Sequence, residues 1–257
     1  VEEKQMRTIE MVLPGVGEPE SLEARERDLA PPAPDEARIR MEATGVSFAE
    51  RSMRRGKYYQ QPTFPFVPGY DVVGTITALG AAAPADLHVG DRVAALTKTG
   101  GWAGDIVLPA GDLVPVPPGL SAVAAETVIV NGLTALRVLR RTRAVAGDTV
   151  VVFAAAGGVG SVLVQLAVRA GIRVIGTAGS SQQQRLRGLG AIPIDYRSED
   201  VPARVRALAP EGVTAVVDNV GGPGIRDSWQ LVRRGGALIA LSDMTVIDAK
   251  HPIVPFL

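Results

Sequence analysis

The residues of this chain best placed to do chemistry are backbone groups. Gly157-Gly158-Val159-Gly160, preceded by Ala156, stand between a β-branched run and a helix-forming run. Glycines at a strand-to-helix junction leave the N–H groups of the helix start open to an anion, and the helix dipole favours negative charge there. The implied chemistry is recognition of a dinucleotide pyrophosphate. A rival reading uses the same residues, because Thr149 to Val168 is an uncharged run of about 20 residues, long enough to cross a bilayer. Its two halves differ in type. Val150, Val151, Val152 and Phe153 suit a strand, whereas Ser161 to Ala170 suits a helix. A strand turning into a helix explains that order and one continuous helix does not. No comparable apolar run or basic flanking loop was found beside it, so no membrane partner is expected.

The next strand end decides between nucleotides. An acidic side chain there would accept hydrogen bonds from the ribose hydroxyls of NAD. The sequence instead reads Gly176-Thr177-Ala178-Gly179-Ser180-Ser181. Thr177, Gly179, Ser180 and Ser181 leave room for a 2′-phosphate, and Arg185 could pair with its charge, with Arg187 a close competitor. NADP(H) is the expected cofactor.

Composition narrows the remaining chemistry. The 257 residues carry 27 Lys and Arg against 27 Asp and Glu, which leaves no electrostatic footprint for nucleic acid. With no cysteine, thiolate catalysis and cysteine-ligated metal are excluded, and His88 and His251 are too few for a histidine cage. No metal site is expected. No signal-peptide pattern opens the sequence, so the chain is read as cytoplasmic.

Two stretches with different grammar must position these groups. Up to about Leu120 the chain is broken by PGVGEP, APPAPDE, PTFPFVPG and LPAGDLVPVPPG, with short β-rich runs at Ala37 to Thr44, Tyr70 to Leu79 and Asp86 to Ala95. That pattern predicts a small, partly closed β-barrel. Beyond it comes a helical region, Ala124 to Arg143, interrupted at Asn131-Gly132. Strands at Thr149 to Ala155, Arg173 to Ala178, Ile192 to Tyr196, Ala215 to Val220 and Ala237 to Leu241 then alternate with helices at Gly158 to Ala170, Gln182 to Leu189, Val201 to Leu208 and Ile225 to Arg234. This βαβα order predicts a parallel sheet with ligand at the carboxyl ends of the strands. The expected domains are residues 1–123 and 124–257.

The order and spacing of GVSFAERSMRRGKYY (Gly45 to Tyr59), PFVPGYDVVGTI (Pro65 to Ile76), VGDRVAAL (Val89 to Leu96), NGLTAL (Asn131 to Leu136), AAAGGVGSVLVQLA (Ala154 to Ala167), LGAIPIDYRSED (Leu189 to Asp200) and VVDNVGG (Val216 to Gly222) resemble the medium-chain dehydrogenase/reductase superfamily. The likeness is to its zinc-independent quinone oxidoreductase and alkene reductase branch, and it covers nearly the whole chain. It implies an α/β protein, a GroES-like β-barrel domain followed by a Rossmann-type doubly wound parallel sheet. The zinc-dependent relatives carry Gly-His-Glu where this chain has Gly69-Tyr70-Asp71. The implied activity is NADPH-dependent hydride transfer to a quinone or an α,β-unsaturated carbonyl, which needs positioning and a proton source in place of a Lewis acid.

By the same resemblance, Tyr58 is the candidate proton donor, with Tyr59 an adjacent rival. Ser47 stands where many quinone reductases have an asparagine facing substrate. Asn131 and Thr134 match a segment beside nicotinamide and phosphates, Tyr196 a tyrosine near the adenosine phosphate, and Asn219 and Val220 the nicotinamide half. Gln182-Gln183-Gln184 replaces a lysine common in the family. The family also continues past the strand ending near Leu241 and commonly forms homodimers, so the chain is expected to be incomplete relative to it, and its tail, Thr245 to Leu257, matches no family segment. A reading of another class stands beside this one: an NADPH-binding protein with little turnover that serves as a structural or sensing partner.

Overall fold

The computed structural model describes residues 6–221 and 224–241, so the tail from Thr245 to Leu257 and Gly222 of the VVDNVGG motif lie outside the described residues. Contacts divide the chain after Val130, later than the boundary expected after Val123.

The first unit is β-rich. Strands β1 (Met6–Val12) and β2 (Glu23–Leu29) form an antiparallel hairpin. Strand β3 (Glu36–Ala43) precedes a short helix, α1 (Phe48–Arg54), and β4 (Asp71–Leu79), β5 (Arg92–Leu96), β6 (Asp105–Pro109) and β7 (Val114–Pro115) complete an antiparallel sheet of order β6-β3-β4-β5-β7. The hairpin joins that sheet region through an isolated bridge between Glu10 and Ala103 and a Met11 N–H to Trp102 carbonyl bond of 2.9 Å. Alternation along the strands sends Ala37, Ile39, Val72, Ile76, Val93, Ala95 and Ile106 into one core. The hairpin went unnoticed in the sequence because β2, EARERDL, exposes all its residues but Leu29 and has no apolar period to read.

A helical run then carries the chain into the second unit: α2 (Ala122–Thr127), a π turn (Val128–Gly132) and α3 (Leu133–Thr142). The expected interruption at Asn131-Gly132 is therefore a widened helical turn rather than a break. Over Ala122–Thr142 this run has mean hydropathy 1.5 in its most apolar window, long and apolar enough to cross a membrane by length and composition. The sequence reading, which found no second such run, missed it because the turn residues Asn131 and Gly132 divide it.

The second unit holds the parallel sheet. Its strands are β8 (Thr149–Val152), β9 (Arg173–Ala178), β10 (Ile192–Asp195), β11 (Val213–Asp218) and β12 (Val232–Ala240), in order β10-β9-β8-β11-β12. The helices between them are α4 (Gly158–Arg169), α5 (Gln183–Gly188), α6 (Val201–Leu208) and α7 (Ile225–Trp229). The strand order reverses between β8 and β11, which creates the switch point where such sheets bind ligands. Val150 and Val152 pack on one face with Leu163, Val164 and Ala167 of α4, while Val151 packs on the other with Ile175, Ile194 and Val205. Burial on both faces is why these strands read as unbroken apolar runs. The uncharged stretch from Thr149 is thus divided into β8 and α4.

Two boundaries differ from expectation for one reason. The helix expected over Ile225 to Arg234 stops at Trp229, and β12 begins at Val232, because Val232 already pairs with Val213. The glycine pair at Gly235 and Gly236 then shifts the register.

Helix α4 sits unusually close to β8. A Cβ on Gly160 would lie 2.4 Å from the Ala154 carbonyl oxygen and 2.9 Å from Ala155 Cα, both backbone atoms that cannot rotate away. Gly160→Ala should therefore lower stability by about 1–3 kcal/mol, read as a fall in the midpoint of a urea titration. An unchanged midpoint would contradict this packing.

Candidate functional site

The second unit carries the phosphate-type turn. After β8 the chain passes through Ala154 at φ 50°, a left-handed conformation uncommon for a residue with a side chain. It is held there by neighbours: the Ala154 N–H donates to Thr177 Oγ1 at 3.3 Å, and Ala155 N–H donates to the Thr177 carbonyl at 2.9 Å. Thr177, expected at the cofactor, is buried and shapes the turn from behind. Gly157 and Gly158 are exposed, Val159 and Ala156 half-buried, and no side chain caps the start of α4. Its first N–H groups are the ones that helix geometry leaves without intrahelical partners. The Asn131 side chain lies against this turn, since a Cβ on Gly158 would fall 2.9 Å from Asn131 Oδ1. Thr134 follows on α3, half-buried.

At the end of β11, Asn219 donates from Nδ2 to the Phe153 carbonyl at 2.9 Å. Its Oδ1 is buried with no hydrogen-bond partner among the described residues. A buried amide oxygen without a donor is costly, and here it sits at the carboxyl end of a strand beside the switch point. Val220 is exposed next to it, and the buried Asp218 carboxylate accepts the Val220 and Gly221 N–H groups at 2.8 Å each.

The end of β9 is more built than the sequence showed. Ser180 Oγ donates to Asp195 Oδ2 at 2.5 Å, Arg197 N–H donates to Asp195 Oδ1 at 3.0 Å, and Gln183 Nε2 donates to the Ala178 carbonyl at 2.8 Å. The Ser180 hydroxyl, then the Arg197 N–H, hold the Asp195 carboxyl below the usual carboxylate range. Tyr196, Ser181 and Arg185 are exposed. Asp195, Arg197 and Asp218 were not singled out from the sequence, and Gln183 only as part of the Gln182-Gln183-Gln184 run. The signal was available for Asp195 and Arg197, because Asp195-Tyr196-Arg197 stands at a strand end of the same parallel sheet.

The first unit gathers a different set. Ser47 caps α1: its Oγ accepts the Ala49 N–H at 3.1 Å and donates to Glu50 Oε2 at 2.5 Å, while Ser47 N–H donates to the same carboxylate oxygen at 2.8 Å. That capping box engages both functions of the hydroxyl expected to face substrate. The other oxygen of the buried Glu50 accepts the Tyr70 N–H at 3.0 Å. One carboxylate thus ties α1 to the start of β4. It brings Tyr70 to Tyr58, whose hydroxyls share a 2.8 Å hydrogen bond with the rings edge to face. Burial, then the bond to Tyr70, pushes the Tyr58 phenol well above its ordinary value, so it keeps its proton. Tyr59 is largely exposed with its ring centroid 4.8 Å from that of Tyr58.

Beneath them Asp71 and Glu126 form a carboxyl pair. Asp71 Oδ1 accepts the Gly45 N–H at 3.1 Å, and both carboxyls crowd the position where a Gly45 side chain would begin. Burial raises each of them, and Glu126 is raised further by the Asp71 charge beside it. Among the described residues no group of three or more His, Cys, Asp or Glu side chains is arranged to hold a metal ion.

A β-rich unit followed by a doubly wound sheet with an uncapped glycine turn defines the two-unit architecture of the medium-chain dehydrogenases. Comparison agrees, unit by unit. Residues 33–118 match the alcohol dehydrogenase GroES-like domain family, and residues 158–250 match the zinc-binding dehydrogenase family. The chain is 32% identical over 234 residues to the human synaptic vesicle membrane protein VAT-1 homolog, covering 89% of this chain and 59% of that protein. It is 31% identical over 231 residues to a probable quinone oxidoreductase of Schizosaccharomyces pombe, covering 89% of this chain and 70% of that one. Among solved structures, mycobacterial Rv1454c complexed with NADPH superposes with a TM-score of 0.84 at 32% identity, covering 95% of this chain and 77% of that one. The chain belongs to the quinone oxidoreductase branch of the medium-chain dehydrogenase/reductase family. It spans 57–59% of the length of the human, rat and mouse VAT-1 relatives it matches.

The carboxyl pair makes a pH prediction. Groups raised on folding stabilise the fold fully below the ordinary carboxylate range and lose that contribution as pH climbs from there through their raised folded values. Glu126→Gln keeps an amide beside Asp71 and removes one titration. Relative to the unsubstituted protein, it should become progressively more stable as pH climbs above the ordinary carboxylate range, as measured by urea midpoints across that rise. A stability difference that does not change with pH would refute the raised carboxyl pair.

Proposed function

We propose that this protein is an NADPH-dependent oxidoreductase that reduces a quinone or an α,β-unsaturated carbonyl. The observation that carries the reading is the uncapped turn at Gly157 and Gly158 with the donor-seeking Asn219 oxygen at the neighbouring strand end. A pyrophosphate suits the first group, and the carboxamide N–H donors of a nicotinamide suit the second. The relative structure that holds NADPH supports the choice of cofactor, and so does the lack of a free acid at the end of β9. When bound, the reduced nicotinamide supplies the hydride.

The chain's own residues do the rest. Gly158, Val159 and Gly160 present backbone donors, Gly157 shapes the turn with its N–H donated to the Ala154 carbonyl at 3.0 Å, Asn131 lies against that turn and Thr134 follows it, and Tyr196 borders the end of β9. In the first unit the Tyr58 and Tyr70 hydroxyls offer a proton to the reduced product, for which a phenol that stays protonated at neutral pH is suited. Ser47 is left as the cap that fixes α1. This reading also includes a small-molecule substrate, supported by the likeness to quinone oxidoreductases, a cytoplasmic setting without membrane or nucleic acid, and a homodimer where the full family C-terminus is present.

Mixing the protein with NADPH and a panel of quinones and enones, and following nicotinamide absorbance, tests the activity. Tyr58→Phe should lower kcat by about 10²-fold with NADPH affinity unchanged. An unaltered kcat would remove Tyr58 from proton transfer. A second reading, nucleotide binding with little turnover, is favoured by the full engagement of the Ser47 hydroxyl. Tight NADPH binding with no consumption across the panel would establish it in place of the first.

A further inference from the structure

We infer that Arg197, at the turn after β10, is the residue that selects a ribose 2′-phosphate, and that no cation of α5 does so. The inference rests on the NADP(H) reading above and assigns the charge which that reading requires.

The end of β9 is where the ribose would lie in a doubly wound sheet, and its surroundings single out one cation. Helix α5 meets this strand end through Gln183, a neutral amide whose Nε2 already donates to the Ala178 carbonyl at 2.8 Å and approaches the Gly179 carbonyl at 3.4 Å. Arg185 and Arg187 lie on the exposed side of α5, either side of the inward Leu186. Arg197, by contrast, reaches over Gly179. The position of a Cβ on that glycine is 3.5 Å from Arg197 Nε, 3.6 Å from its Cζ and 3.8 Å from the Tyr196 hydroxyl. A guanidinium and a phenol therefore converge above a residue with no side chain, next to Ser180.

Three features prepare this guanidinium for an anion. Its backbone is anchored, because Arg197 N–H donates to Asp195 Oδ1 at 3.0 Å. Its side chain lies over the Tyr196 ring, Cζ 5.8 Å from the centroid, which limits the freedom lost on binding. Its fork is open, since among the described residues it takes part in no ion pair. The adjacent carboxylate does not compete as a ribose acceptor. Both Asp195 oxygens already accept hydrogen bonds, from Ser180 Oγ and from Arg197 N–H. What stays exposed at this strand end is a cation and two hydroxyl groups, a set that suits a phosphate monoester and gives a bare 2′-hydroxyl little.

Equilibrium binding tests the assignment without catalysis. The protein is titrated calorimetrically with NADPH, NADH, 2′,5′-ADP and 5′-AMP. Arg197→Ala should weaken NADPH and 2′,5′-ADP roughly tenfold or more and leave NADH and 5′-AMP within about twofold, the loss expected for charge-assisted hydrogen bonds. Arg197→Lys should recover part of the NADPH affinity, and Arg185→Ala should change it by less than about threefold. Because Arg197 is exposed, the variants should fold. An NADPH-to-NADH preference that survives Arg197→Ala, or that disappears with Arg185→Ala instead, overturns the assignment while nucleotide binding stands. If the unsubstituted protein binds neither dinucleotide, the NADP(H) reading itself falls, and this assignment with it.

Discussion

The second unit depends on one close approach, the start of α4 against the end of β8. With no side chain at Gly160, the helix comes near enough for a Cβ there to overlap the Ala154 carbonyl. That proximity forces the chain to reverse within a few residues, which puts Ala154 in the left-handed region and brings its N–H to Thr177 on the next strand. Strain at Ala154 is tolerated because both flanking strands are buried on both faces and cannot shift to relieve it. The consequence is positional. Gly157 and Gly158 are left exposed at the helix start, with Asn131 against them and Asn219 held through the Phe153 carbonyl on the other side of β8.

The first unit solves a similar problem with charge. Its loops are pinned by carboxylates that accept backbone N–H groups: Glu50 takes those of Ser47 and Tyr70, and Asp71 takes that of Gly45. The second unit repeats the device at its strand ends, where Asp195 takes the Arg197 N–H and Asp218 takes those of Val220 and Gly221. Charge-assisted bonds of this kind are stronger than neutral ones. They hold loop backbone where regular structure cannot supply partners.

This division explains what could be read from the sequence. The parallel sheet was legible because strands buried on both faces write unbroken apolar runs, and α6 and β9 lie where their patterns place them. The hairpin was not, because its second strand is polar on both faces. The phosphate turn was legible through its glycines, whose need is local. The carboxylate pins were not, because their partners are backbone N–H groups of residues with no shared pattern. Glu50 and Tyr70 are 20 positions apart. Ser47 shows the limit of reading position without partners: its place matches a segment that faces substrate in relatives, and Glu50 three residues later, the mark of a capping box, is the signal for the cap it forms on α1.

The same reasoning bears on why the groups left open are the ones they are. In both units carboxyl groups near the strand and helix ends are turned inward and engaged: Glu50 and Asp218 on backbone, Asp195 on Ser180 and Arg197, Asp71 and Glu126 on each other. An unengaged carboxylate at the end of β9 would repel a phosphate, and one beside Tyr58 would hold its hydroxyl in a hydrogen bond instead of leaving it for a substrate. Engaging the acids therefore sets the polarity of what remains. Donors face outward in the second unit, as helix-start N–H groups and the Arg197 guanidinium, and weakly acidic phenols remain in the first. Under the proposed function, the donors of the second unit suit anionic phosphates and the phenols of the first suit a product that gains a proton.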